Sequence, residues 1–320
     1  MTDINWALLT SVAVAQRNQF FDIAINNDSH LFRLLPRLPP SEAGKCSWHL
    51  QTSGSTAKGF REGDSFKNPD AMGTNQLTLP IGYFHNVMRI TGHARDRMMA
   101  MGETQIANYM AEQFQDASNS LIRTIEAALP LGDDTDSEFV GLGSAIEDGN
   151  IYAGLDRASA TMHRSYVNDN GGTPRSLTTT LINATRKGIT QTNRGTVSLA
   201  LSSPTQCDNL RGLTADIHKL GGQVQVQPGQ PMELSIGIGT MLSSGLRIYG
   251  VPVFEIPAYP TDRIDFLDLT QRKIGIEEHR PFTIEEMPPV GDDKLWKLTY
   301  GCQLVVKNAR KLTGRLGDLS

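Results

Sequence analysis

The sequence predicts an α+β chain in which helices and strands are segregated rather than alternating. A helical stripe of apolar residues runs from Glu103 to Leu129 and stops before Pro130. From Leu246 to Lys307 short apolar runs are cut by Pro and Gly, the pattern of successive strands. No regular strand–helix–strand unit and no internal repeat occurs, which argues against a doubly wound α/β sheet.

Composition fits a folded chain. At 320 residues it is near the upper limit for one hydrophobic core, so one large domain or two lobes are expected. Hydrophobic residues make up 39%, too many for a disordered chain. The net charge of −4 disfavours a protein dedicated to coating nucleic acid. No run approaches the roughly 18 apolar residues of a spanning helix. The start, Met1 to Trp6, lacks the basic residues of a signal peptide. Cys46, Cys207 and Cys302 lie far apart without a CxxC, so neither a disulfide framework nor a cysteine zinc site is expected, and a reducing compartment is the simplest inference.

Along the chain, residues 5–25 carry Trp6, Leu8, Leu9, Val12, Val14, Phe20, Phe21 and Ile23 at roughly helical spacing. Pro36, Pro39 and Pro40 then forbid continued helix, so residues 1–45 read as a short helix followed by an extended arm, or as a docked N-terminal segment. Residues 51–70 are rich in Gly and hydroxyl side chains, with Phe60 and Phe66 as their large apolar residues. Such a stretch cannot form its own core and predicts either disorder or a hairpin held by a neighbour. Leu77, Leu79, Ile81, Tyr83, Val87 and Ile90 suggest strands returning from it.

The stripe Ile106, Met110, Phe114, Ala117, Leu121, Ile125 and Ala128 predicts a helix of roughly 40 Å at ~1.5 Å per residue, long enough to be a spine for a sheet. From Glu126 to Asp148 seven acidic residues occur without Lys or Arg; Asp133–Glu138 lacks the Gly and distal Glu of an EF-hand and is expected as a solvated acidic loop, with cation binding as the alternative. Gly171-Gly172-Thr173-Pro174 predicts a turn and a helix capped by Thr173, running to Lys187 and stopped by Gly188. Thr196–Leu201 reads as a strand, and Ser203-Pro204 opens a helix that Gly221-Gly222 ends. Further strands are expected within 246–256 around a turn, and at 263–267, 274–278, 281–286 and 295–307.

No spacing in the sequence marks a site of chemistry. GxSxG, HExxH and phosphate-loop motifs are missing, and Gly141-Leu-Gly143 and Gly237-Ile-Gly239 read as turns. The seven histidines show no HxH or HxxxH spacing. Glu277-Glu278-His279 and Glu285-Glu286 are expected on a solvated strand face. Residues 294–320 carry a local charge of +5, expected as a solvated basic face, with head-to-tail subunit contacts or phosphate as the alternatives.

Three stretches make the order of parts distinctive. They are Gly154-Leu-Asp-Arg157 leading to Arg164–Leu177, Gly250-Val-Pro-Val-Phe-Glu-Ile-Pro257 followed by Ile264–Leu269, and Leu295–Asn308. With the arm and the polar loop, this set resembles the HK97-fold major capsid proteins of tailed bacteriophages. One departure is Met162-His163, where similar capsid sequences often carry aromatics.

The resemblance implies an HK97-like capsid fold: an N-terminal arm (1–50), an extended E-loop hairpin (51–80), a peripheral domain with the spine helix (81–145, helix 103–129), a mixed α/β axial domain (146–262), and strands returning to the peripheral domain (263–320). It implies a shell subunit and no enzyme, without catalytic residues, cofactor or metal. Lys58, Phe60, Arg61, Glu62, Phe66 and Lys67 on the loop become the expected inter-subunit contacts. The expected partners are further copies of the chain in hexamers and pentamers, scaffold, portal and decoration proteins, and packaged double-stranded DNA contacted non-specifically, with no membrane. The expected location is the virion, after assembly in the host cytoplasm. The alternatives are an encapsulin-like compartment shell and an unrecognised α+β enzyme using the acidic strands 277–286.

Overall fold

The structure, a computed structural model, describes residues 15–51, 59, 61–62, 73–94, 103–134, 137–220 and 243–320. Helix α1 (Arg17–Asp28) and the single turn α2 (Leu31–Leu34) precede β1 (Arg37–Leu38). An antiparallel ribbon of β2 (Cys46–Gln51) and β3 (Thr74–Leu79) is followed by β4 (Gly82–Ile90) and the long helix α3 (Glu103–Ala128). Two small ribbons, β5 (Asp133–Asp134) with β6 (Phe139–Val140) and β7 (Ile151–Tyr152) with β8 (Leu155–Asp156), flank the turn α4 (Leu142–Ala145). Next come β9 (Tyr166–Asn168), α5 (Thr179–Lys187), β10 (Leu199–Ser202) and α6 (Pro204–Leu220). The chain closes with β11 (Ser243–Ile248), β12 (Val251–Glu255), β13 (Ile264–Leu267), β14 (Ile274–Val290), β15 (Asp293–Val306), α7 (Ala309–Leu312) and β16 (Thr313–Leu316).

Two sheets organise the chain. The first has four strands in the order β1-β14-β15-β4, and α3 packs against β4. All six describable residues of the α3 stripe, from Met110 to Ala128, are buried. Phe114 meets the Trp296 ring edge-on at 5.8 Å and stacks on Phe20 at 6.2 Å, so helix, sheet and α1 share one aromatic cluster. The second sheet has six strands in the order β11-β12-β10-β13-β16-β9. Its central strands are covered on both sides. Leu199 and Leu201 point into the first core, while Ala200 faces a second core with Ile182, Ile189 and Val253. That double cover explains why β10 is buried at all four positions and apolar at Leu199, Ala200 and Leu201 rather than alternating.

Several expectations needed correction. The segment before Pro36 is not extended: it coils for one turn and buries Leu31, Phe32 and Leu34 completely before β1 pairs in parallel with β14. The helix expected from Pro174 begins at Thr179, capped by Thr178, whose hydroxyl accepts from the Leu181 amide. Tertiary pairing takes the intervening residues, since the Arg175 amide donates to the Asp318 carbonyl and the Ser320 amide to the Arg175 carbonyl. Gly188 does not stop α5, which continues as a π-helical turn to Thr192. A Cβ there would sit 1.9 Å from the Tyr166 ring, so this glycine serves packing. Segments 274–278 and 281–286 are one strand, with register shifts around Arg280 absorbing Pro281. Gly221, Gly222, Gly237 and Gly239 lie outside the described residues, as do Trp6 through Val14.

Candidate functional site

Three places draw together residues with more than packing to do. The first is the set of projecting tips. The β2–β3 ribbon pairs Cys46 with Leu79 through Gln51 with Thr74, and so holds both ends of the polar loop side by side. Of the six loop residues expected to touch neighbours, Arg61 and Glu62 are described and exposed, while Lys58, Phe60, Phe66 and Lys67 lie outside the described residues. Exposed apolar side chains mark other tips. Leu131 follows α3, Ile151 opens β7, Tyr249 sits in the β11–β12 turn, and Val290 ends β14. Ile151 is 72% exposed and Val290 66%. None of these four is singled out by the sequence, and their spacing along the chain carries no signal that would do so.

The second is a buried polar centre where the two cores meet. Arg315 on β16 donates five hydrogen bonds. Nε and Nη2 grip the Asp265 carboxylate at 2.7 and 3.2 Å, Nη1 reaches Glu147 at 2.6 Å and the Gly143 carbonyl, and Nη2 also reaches the Leu142 carbonyl. That uses the full donor capacity of a guanidinium. The carbonyls belong to α4, whose close approach needs glycine: a Cβ on Gly143 would lie 2.5 Å from the Gly132 amide nitrogen. The Gly141-Leu-Gly143 turn is thus a crossing of backbones.

The electrostatics follow from this geometry. Burial alone would raise the Asp265 carboxyl, but Arg315 and then Arg263 hold it below the usual carboxylate range. Burial likewise raises Glu147, which Arg315 only partly offsets. Arg157, on the conspicuous Gly154–Arg157 stretch, is buried under the same seam. It donates to the Glu147 and Ala145 carbonyls, each at 2.8 Å, and lies 4.5 Å over the Tyr152 ring. Nearby His163 is buried and pushed down to about 4 by burial, then by Arg157 and Arg310. The basic C-terminal stretch is therefore not a solvated face throughout. Arg315 is interior, Lys307 pairs with Glu277 at 2.9 Å, and Lys294 pairs with Glu286 at 2.9 Å.

The third is a cluster of Cys46, Glu277 and His279. Glu277 was expected on a solvated face but is fully buried. Its burial is made tolerable by Lys307 on Oε1 and by the Ser41 amide and hydroxyl, which donate to Oε2. Burial alone would raise its carboxyl, but Lys307 and Ser41 hold it below the usual carboxylate range. The Cys46 thiol is pushed far up, by burial first and then by Glu277. Glu278 pairs with Cys302 and Arg280 with Gly301, so His279 is the extra residue of a bulge. Glu285 and Glu286 remain on the outer part of the strand, paired with Arg280 and Lys294. The acidic residues of 277–286 thus do not converge.

No family model and no curated protein matches the chain by sequence. Solved structures match it by shape. The capsid asymmetric unit of cyanophage A-1(L) aligns over 90% of this chain and 92% of its own, at 15% identity and a TM-score of 0.68. A structure from Mycobacterium phage Bobi aligns over 91% and 90%, at 12% identity and 0.56. The holo-SrpI encapsulin complex of Synechococcus elongatus aligns over 91% and 87%, at 14% identity and 0.53. A likeness that spans both sheets, the long helix and nearly the full length of each partner is a likeness of whole architecture, and the chain has the HK97-like capsid fold.

Proposed function

We propose that this chain is the major capsid protein of a tailed phage and self-assembles into the icosahedral shell around its double-stranded DNA. The observation that carries this reading is the near full-length likeness to the cyanophage capsid subunit. The projecting features support it. The β2–β3 ribbon carries a segment too polar by sequence to form a core of its own, and Leu131, Ile151, Tyr249 and Val290 are exposed apolar side chains that contacts with neighbours would cover. On this reading residues 1–50 are the arm, 51–80 the E-loop, 81–145 and 263–320 the peripheral domain, and 146–262 the axial domain. Lys58, Phe60, Arg61, Glu62, Phe66 and Lys67 grip the adjacent subunit. Its role is structural rather than catalytic. Scaffold, portal and decoration proteins are further partners, packaged DNA is contacted without sequence preference, and the shell is built in the host cytoplasm.

The likeness to an encapsulin supports a second reading, a compartment shell that encloses protein cargo. Light scattering and electron microscopy of the purified protein test assembly. Closed particles are the expected result, and a stable monomer under every assembly condition, scaffold included, overturns both readings. Nucleic acid inside particles isolated from their native source separates the first from the second.

A further inference from the structure

The Cys46–Glu277–His279 cluster has the geometry of a ligand cage. Cys46 Sγ lies 3.2 Å from His279 Nε2, Glu277 Oε2 lies 3.7 Å from that same nitrogen, and all three donor atoms fall within 4.8 Å of one another. Tetrahedral zinc with bonds of about 2.0–2.3 Å sets neighbouring donors about 3.4–3.6 Å apart, and the two separations at His279, 3.2 and 3.7 Å, fall either side of that range. A Cys–His–Glu relay for nucleophilic catalysis is a different arrangement, since there the acid holds the opposite ring nitrogen from the nucleophile. Here thiol and carboxylate converge on one nitrogen and leave a single point facing all three.

The surroundings suit a cation. Cys46 and Glu277 are fully buried and the His279 side chain is 6% exposed, so the point is screened from water. Lys307 holds the far carboxylate oxygen and Ser41 donates to the near one, fixing the carboxylate as outer partners do at metal centres. A thiolate and the Glu277 carboxylate offset the charge of a dication, with Lys307 leaving the cluster one positive charge overall, and a fourth position is left for water. Spacing could not reveal the set, because Cys46 and His279 are 233 residues apart.

We propose that Cys46, Glu277 and His279 bind a zinc ion that staples the base of the β2–β3 ribbon to β14. The test uses the full-length protein, stripped with a chelator, loaded with Zn²⁺ or Co²⁺ and desalted. Zinc should remain in a one-to-one ratio with the chain. The cobalt form should show the charge-transfer band of a cobalt–thiolate bond together with the visible bands of a tetrahedral centre. Cys46→Ser should abolish the charge-transfer band, His279→Gln should weaken zinc retention by about tenfold or more, and Cys207→Ser should change neither. Failure of the unaltered protein to retain zinc overturns the proposal, as does a thiolate band that survives Cys46→Ser. The spectrum of the unaltered protein decides even where a variant does not fold, because a missing thiolate band there is sufficient to refute it.

Discussion

Replacing Glu126 should loosen the N-terminal segment from the long helix. Glu126 lies near the end of α3, is 6% exposed, and accepts three backbone hydrogen bonds. Oε1 takes the His30 and Leu31 amides at 3.0 and 2.6 Å, and Oε2 takes the Phe32 amide at 2.8 Å. These are the amides a helix start leaves without partners, so Glu126 caps α2 from a remote part of the chain. Glu126→Ala strands them. Each buried orphan costs about 1–3 kcal/mol, and His30 at the edge can recover water, so about 3–5 kcal/mol is expected in all. Glu126→Gln keeps one acceptor oxygen but sets an NH₂ against an amide, so about 2 kcal/mol is expected. Chemical denaturation of the isolated subunit is the suitable assay, because melting of any assembly it formed would report a rate. At about 2 °C per kcal/mol, the alanine variant should also melt about 6–10 °C lower. Exposed Glu112 on the same helix is the control, and Glu112→Ala should be nearly silent. A loss below about 1 kcal/mol for Glu126→Ala, or a glutamine variant no better than alanine, would refute the capping role.

Phe114→Ala and Leu121→Ala should each cost about 2–5 kcal/mol in the same assay through the cavities they leave, whereas Asp116→Ala on the outer face should not; equal losses would mean the helical phase is wrong. Gln115 is not a silent neighbour, since its amide donates to the Phe20 carbonyl and to Asn119, so Gln115→Ala should be measurably destabilising. Stability should fall with acidification from about pH 6.5 to 4, because the unfolded chain protonates His163 at its ordinary value while the folded chain resists until about 4. The loss is on the order of 3 kcal/mol, and His163→Gln should flatten that limb of a pH–stability curve; an unchanged slope would show that His163 is not responsible. Deletion of residues 54–70 should leave a subunit with its unfolding midpoint intact but no normal particles by electron microscopy, and global unfolding would place the loop in the core instead.

Much of the fold was legible because local chemistry and tertiary packing agreed. The α3 stripe is one such place: apolar spacing, a following proline and a waiting sheet point the same way, and the helix ends within one residue of the expected Leu129. Pro204 opening α6 is another. Reading failed where distant residues decided the outcome. Thr173 and Pro174 form a good local helix start, but the Asp318 carboxylate takes the Asn170 and Gly172 amides and turns the chain toward the C-terminal strand. Glu277 looks like a surface residue until Lys307 and Ser41 are known to surround it. The polar centre could not be read from sequence, because Asp265 and Arg315 become partners only through the pairing of β13 with β16.

The position of β16 has a consequence for timing. It lies between β13 and β9 in the second sheet, antiparallel to one and parallel to the other, yet it is the last strand along the chain. A growing polypeptide can make the long helix and the first hairpins early, but it cannot seal the second sheet or bring Arg315 to Asp265 until residue 316 has left the ribosome. Until then the seam between the cores stays open and the subunit lacks its final shape. On the capsid reading proposed above, this order would keep chains still being synthesised out of a growing shell, because only finished ones would present the complete second sheet.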